Sequence, residues 1–281
     1  MKVRFYGVRG SIPAPGVSTV RYGGNTVSVD VRLADGTIVL LDAGTGLRKL
    51  GADLLREQAS GSYALLLTHL HWDHILGIPF FPPLYRPETH IQIYPMGSDV
   101  HQQAAQRRVL FDGIHFPVRA ADIPARIDFV DDPGEPWRIG SALVRRVALN
   151  HPGGAQGFRI DDEDGRSIAY LTDNELSPPG PVDTSLDALA RFAEGVDLMI
   201  HDAQYLPADM PAKRGWGHST VDDVLRLGRR AGARHLALFH HDPERDDDGL
   251  DQLGVWASEQ MRAEGSVTTV SVASEGWVLE L

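Results

Sequence analysis

The sequence predicts an α/β protein built as a four-layer αββα sandwich, two sheets face to face with helices on their outer faces. Two observations lead there. Strand patterns and helix patterns come in two successive blocks, each with its own strands and helices, which is how two helix-covered sheets read along a chain. No repeat, low-complexity segment or long linker interrupts the 281 residues, so the expectation is a single domain spanning 1–281.

Lys2 to Gly7 alternates charged and apolar residues and reads as a strand. From Asn25 to Leu33, Val27, Val29, Val31 and Leu33 alternate with polar neighbours, the period of a half-buried strand. Asp35-Gly36 is a hairpin turn signal, and Thr37 to Asp42 is the return strand. Leu47 to Gln58 has helical spacing, Ala64 to Thr68 and Ile91 to Tyr94 are short strands, and Asp99 to Phe111 reads as a helix. Strands follow at Ile127 to Val130, Ala142 to Leu149, Gln156 to Ile160 and Ser167 to Leu171. The rest alternates: helix Ser185 to Ala193, strand Asp197 to Ile200, helix Thr220 to Ala231, strand His235 to Phe239 and helix Gly249 to Glu264. Val267 to Val272 and Trp277 to Leu281 close the chain as strands. The run Asp246-Asp247-Asp248 reads as a solvated helix start, and Ser219 as an N-cap.

Composition narrows the function classes. There is no cysteine, which excludes disulfides, thiolate metal ligands and a cysteine nucleophile. The first residues lack the apolar centre of a secretory signal, and no run approaches the roughly 20 apolar residues of a membrane span, so a soluble cytoplasmic protein is expected. The formal net charge of −11 lowers the expectation of a grip on long nucleic acid. It does not oppose a small anionic substrate, because bound metal ions supply positive charge locally.

The densest chemical signal is "THLHWDH", Thr68 to His74, directly after the apolar run Ala64 to Leu67. Imidazole nitrogens and carboxylate oxygens ligate zinc, and also iron or manganese. Four donors at this spacing cannot easily all reach one ion, but two adjacent ions can share them. Two ions about 3.5–4 Å apart need further ligands. His151 in "LNHPGG", Asp173 in "YLTDNE" and His240 in "LALFHHDP" each sit just beyond the end of a predicted strand. His241 is the alternative to His240. His90, His101 and His235 read as surface or strand-edge residues, His201 as a neighbour of the site, His115 as a loop residue near a pocket, and Trp72 as a cover over the donors.

With these residues in order, the chain resembles the metallo-β-lactamase-fold hydrolases over nearly its full length. That family's fold is the αββα sandwich. The resemblance implies that His69, His71 and His151 hold one metal, that Asp73, His74 and His240 hold the other, and that Asp173 bridges them. It also implies that Asp42 in "LLDAGTG" orients metal ligands from behind. The expected cofactors are two divalent ions, zinc first, with manganese or iron as alternatives.

Several branches fit poorly. Lactamases commonly carry Cys where this chain has Asp173. Glyoxalase-type thioesterases and flavodiiron proteins add domains for which the residues after His240 are too few. "GWGHST", Gly215 to Thr220, and "IHDAQY", Ile200 to Tyr205, resemble the RNase Z-like phosphodiesterase branch. There an acid at the position of Asp202 pairs with a His at the position of His218. This chain has Asp where the tRNA-processing enzymes typically have Glu. Those enzymes also reach tRNA through a long basic arm, and His151 to Asp173 leaves room only for a strand pair, so tRNA is not the expected substrate. "FYGVRGSIPAPG", "YGGNT" and "HWDH…GIPFFPPLY" resemble small bacterial phosphodiesterases, cyclic-nucleotide hydrolases among them. The implied reaction is hydrolysis of a small anionic phosphodiester, such as a 3′,5′-cyclic nucleotide, by hydroxide held between the metals. Asp73, His218 and Asp202 are the expected catalytic groups, Asp73 as proton acceptor and His218 as acid. A lactone, ester or thioester hydrolase on the same metals is the rival enzyme, and a non-catalytic cofactor-biosynthesis or binding protein of the same fold is the rival outside enzymes. Homodimerisation is common in the branch, and no membrane partner is expected.

Overall fold

The computed structural model describes residues 1–59, 61–94, 116–130, 133–210 and 212–281. The expected helix Asp99 to Phe111, and with it His101 and His115, lies outside the described residues.

Among the described residues, two seven-stranded sheets form the middle of the molecule. The first runs β14 (Val278–Glu280), β1 (Lys2–Gly7), β2 (Ser28–Arg32), β3 (Ile38–Leu41), β4 (Ser62–Leu66), β5 (His90–Tyr94) and β6 (Arg126–Phe129), in that spatial order. The second runs β13 (Thr269–Val272), β12 (His235–Phe239), β11 (Leu198–Asp202), β10 (Ser167–Leu171), β9 (Ala155–Asp161), β8 (Ala142–Leu149) and β7 (Trp137–Ile139). Each sheet is mixed. β1 to β3 pair antiparallel and β3 to β6 parallel, while β7 to β10 pair antiparallel and β10 to β13 parallel.

Side chains alternate across a strand, so each buried strand feeds two cores at once. Val39 and Leu41 face inward against Ile168, Tyr170, Ile200 and Phe239 of the other sheet. Leu40 between them faces outward with Leu65, Ile91 and Ile93, against Leu47, Leu50 and Leu54 of helix α1 (Leu47–Arg56). On the other sheet Leu171, Met199, Leu236 and Leu238 face outward, against Leu189 of α3 (Leu186–Phe192), Val224 and Leu227 of α4 (Val221–Ala231), and Leu253 and Ala257 of α5 (Asp247–Ala263). Three apolar layers between four structural layers are the αββα sandwich. No described helix is long and apolar enough to cross a membrane.

Some local expectations need correction. The three-residue strand β7 was not read from the sequence, because three residues are too few to show a period. Asp73 and His74, for which no helix was expected, lie on a single helical turn, α2 (Trp72–Ile75). The cap of α4 is Thr220, whose hydroxyl accepts from the Asp223 amide. Ser219 instead donates to the Asn174 carbonyl and accepts from the Leu176 amide. The acidic run is only partly solvated: Asp246 caps α5, while Asp247 is buried and accepts from the amides of Arg21 and Tyr22.

Candidate metal centre

Every donor singled out from the sequence arrives at one end of the sandwich. β3 leads into Asp42, β4 leads into Thr68 and His69, and β8 leads into His151. β10 leads into Asp173, β11 ends on Asp202, and β12 leads into His240. These strand ends lie on the same side because their strands run in the same direction. The chain is bent sharply there: Ser11, Asp42, Asp173 and His240 all take left-handed backbone conformations, with φ of 64°, 54°, 60° and 56°. Such conformations cost about 1–3 kcal/mol each in a non-glycine residue, and they persist where surrounding contacts over-determine them.

The donors gather into two sets that share one residue. His69, His71, His151 and Asp173 place one ligand atom each within 4.8 Å of one another, and so do Asp73, His74, Asp173 and His240. The Asp173 carboxylate divides between them. Its Oδ2 lies 3.6 Å from His69 Nε2 and 3.7 Å from His151 Nε2, while its Oδ1 lies 3.1 Å from His74 Nε2 and 3.2 Å from His240 Nε2. His71 Nδ1 and His151 Nε2 face each other at 3.0 Å.

The outer nitrogens are already engaged. His74 Nδ1 donates to Asp42 Oδ2 at 2.9 Å, His151 Nδ1 to the Gly217 carbonyl at 2.9 Å, and His240 Nδ1 to Gln204 Oε1 at 2.8 Å. Those bonds put the proton on Nδ1 and leave the Nε2 lone pair facing the shared space. His69 Nε2 and His74 Nε2 are buried and make no hydrogen bond among the described residues. An unsatisfied buried polar atom costs about 1–3 kcal/mol, and a cation is the partner this donor set suits. The residues present therefore fit a divalent metal.

Electrostatics agree. Burial would push the Asp173 and Asp73 carboxyls up, but His240 and His74 outweigh it and hold both far below the usual carboxylate range. Burial, with His74 beside it, holds His69 well below its ordinary value and so neutral, as a ligand must be. At His74 burial is overcome by Asp173 and Asp73, which hold it well above its ordinary value, so a metal ion bound there would displace a proton.

Asp42 stands behind the centre, fully buried. It accepts from Tyr170 Oη at 2.9 Å and from the Thr68 amide at 2.8 Å, besides His74. Asp42→Asn keeps the shape but weakens the hold on the His74 tautomer. Metal affinity should drop about 10–100-fold, read by titration with a zinc-competing dye at an unchanged melting profile; unaltered affinity contradicts the role.

A third cluster adjoins the second set. His218 Nδ1 lies 2.8 Å from Asp202 Oδ2, its ring stacks on His240 with centroids 4.9 Å apart, and its Nδ1 is 4.0 Å from Asp173 Oδ2. The shorter acid thus reaches its histidine. Burial opposes a charged His218, but the Asp202 hydrogen bond and the Asp173 and Asp73 charges outweigh it and raise its pKa above the ordinary value. His201 supports this corner by donating from Nδ1 to the Asp202 carbonyl at 2.7 Å. His241 turns away: its Nε2 donates to the Ala273 carbonyl at 2.8 Å, and burial lowers its pKa to about 3. Trp72 is 56% exposed, His90 bonds Asp128, and His235 contacts Thr269 on the neighbouring strand.

Glu175 went unnoticed in the sequence. Its buried carboxylate accepts from the amides of Gly215 and Gly217 at 2.9–3.0 Å and so ties down the loop that carries His218. Gly217 has φ of 87°, and a Cβ there would stand 2.2 Å from His151 Nδ1, so only glycine lets its carbonyl meet that ring. The pattern Asp-x-Glu at Asp173 and Glu175 was the one available signal, and it does not distinguish a ligand from a loop anchor.

The Beta-lactamase superfamily domain model matches residues 37–241, most of the chain and every proposed ligand. The chain belongs to the beta-lactamase superfamily. It is 26% identical to the Ribonuclease Z of Haloarcula marismortui, over 85% of this chain and 86% of that one. In structure it is similar to the metallo-beta-lactamase fold protein YhfI of Bacillus subtilis, with a TM-score of 0.72 and 21% identity over 100% of this chain and 98% of that one. It also resembles unliganded yeast PDE1, with a TM-score of 0.73 and 14% identity over 100% and 99% of the two chains. Superfamily and donor set together make the protein a metal-dependent hydrolase.

Proposed function

We propose that the protein hydrolyses small phosphodiesters, 3′,5′-cyclic nucleotides foremost, at a centre of two divalent ions, zinc or manganese. The division of Asp173 carries this reading: one carboxylate offers an oxygen to each of two donor sets. His69, His71 and His151 would hold one ion, Asp73, His74 and His240 the other, and Asp173 both. Such ions, when bound, supply Lewis acidity toward phosphate oxygens and make water ionise near neutral pH.

The chain's own residues supply the remaining chemistry. Asp73 is held ionised by its imidazole neighbours, which suits a ligand better than a proton acceptor. The proton work falls chiefly to His218. Asp202 fixes its Nδ1–H and stabilises its charged form, so its Nε2 is the atom that protonates a leaving alkoxide. The loop beside it suits an anion with an aromatic base. Lys213 Nζ lies 4.4 Å from the ring centre of Trp216, which is 57% exposed, and 5.5 Å from that of Tyr205. Tyr205 in turn packs edge-on against His218 at 5.7 Å.

RNA is the second reading, favoured by relatives named Ribonuclease Z. Against it, His151 and Asp173 are separated only by β9, β10 and their short connection, leaving no arm at that place, and the formal charge is −11. The deciding assay offers a panel of 3′,5′-cyclic nucleotides to the zinc- and manganese-loaded protein, with Asp73→Ala as control. Turnover that vanishes in the control is expected. Inertness toward every cyclic nucleotide, with a precursor tRNA cleaved at its 3′ end, overturns the small-substrate reading.

A further inference from the structure

The two donor sets differ in what stands behind them. Behind the second set lies a turn near the N-terminus, together with one glutamine. Gln204, 3% exposed, follows β11. Its Oε1 accepts from His240 Nδ1 at 2.8 Å and its Nε2 donates to Ser11 Oγ at 3.3 Å. The Ser11 amide donates to Asp73 Oδ2 at 2.7 Å. Gly10 fits between these groups because it lacks a side chain: a Cβ there would stand 2.2 Å from His240 Nδ1 and 2.8 Å from Gln204 Oε1. Arg9 pins the turn. Its fully buried guanidinium donates to the carbonyls of Gly23, Asp242 and Arg245, and its backbone bridges Thr26 and His241. The first set is held elsewhere: the Gly217 carbonyl receives His151 Nδ1, and Thr68 Oγ1, which also reaches His74 Nδ1 of the second set at 3.3 Å, contacts His69 Nδ1 at 3.0 Å.

We propose that Gln204 and the Gly10–Ser11 turn form a positioning clamp for the ion held by Asp73, His74 and His240, and not for its neighbour. The clamp rests on the two-ion reading. It acts in two ways. The Gln204 carbonyl oxygen holds the proton of His240 on Nδ1, which leaves Nε2 free to ligate. The Ser11 amide fixes the Asp73 oxygen that lies 3.2 Å from that same Nε2. Removing the clamp should cost one ion its affinity and leave the other alone, so occupancy of the second position is set separately from the first.

Zinc titration with metal counting tests this directly. The wild-type protein should take up two ions in two phases. Gln204→Met has similar length but cannot accept the Nδ1 proton. It should weaken one phase about 10–100-fold and leave the other unchanged. Gln204→Glu, which can still accept that proton, should restore the weakened phase. Gly10→Ala reaches the same point by displacing the His240 ring and should cost the same single phase. If Gln204→Met and Gly10→Ala both leave two wild-type phases, or weaken both phases equally, the clamp is overturned. A wild-type protein that binds only one ion overturns the two-ion reading, and the clamp with it.

Discussion

Asp173→Asn should empty both halves of the metal centre in one step. Asn tolerates the left-handed backbone that Asp173 adopts, so the loop can keep its course. The amide, however, presents one neutral oxygen where the carboxylate presents two anionic ones, and its NH2 group cannot ligate. Oxygens at both ends of Asp173 lie within 3.7 Å of imidazoles from the two sets, so neither set keeps its full complement. Losing one residue behind a ligand already costs about 10–100-fold in metal affinity, and losing a shared ligand should cost more. Metal analysis after dialysis should find less than one ion per chain, with kcat/KM down by more than about 100-fold. Two ions retained in this variant would remove Asp173 from its bridging role.

His218→Ala should have the opposite signature: both ions stay and turnover is lost. His218 contacts His240 and His151 through its ring, but the Nδ1 of each is held by a partner elsewhere, Gln204 Oε1 and the Gly217 carbonyl. General acid catalysis contributes about 10²–10⁴-fold, which sets the expected fall in kcat for a cyclic nucleotide, whose alkoxide needs a proton to leave. A p-nitrophenolate leaves without one, so bis(p-nitrophenyl) phosphate should lose far less. Asp202→Asn should show the same leaving-group dependence in weaker form. Equal losses for both substrates would point to a disturbed metal centre instead of a missing proton donor.

The residues that touch the centre were legible because metal ligation demands particular atoms, and His69, His71, Asp73 and His74 crowd them into six residues. His151, Asp173 and His240 could be placed because each follows an apolar strand. The choice of His240 over His241 depended on the direction in which a single residue points: His240 Nε2 lies 3.2 Å from both Asp73 Oδ2 and Asp173 Oδ1, while His241 Nε2 lies against the Ala273 carbonyl. The supports were far less legible. Gln204 lies 36 residues from His240, and Ser11 acts through a backbone amide 62 residues from Asp73, so no local pattern marks either. Glu175 likewise acts on amides 40 and 42 residues away. In the fold, the period-2 strands were read well. The strand β7 and the helical turn at Trp72 were not, because three or four residues carry no period of their own.

The most direct test of a two-ion phosphodiester hydrolase offers bis(p-nitrophenyl) phosphate and an aliphatic lactone to the same zinc- or manganese-loaded protein, with Asp73→Ala beside it. Release of p-nitrophenolate that rises with occupancy of the second ion, is lost in Asp73→Ala and is accompanied by no lactone opening is the predicted result. Lactone opening without phosphodiester cleavage, at full metal occupancy, would contradict it.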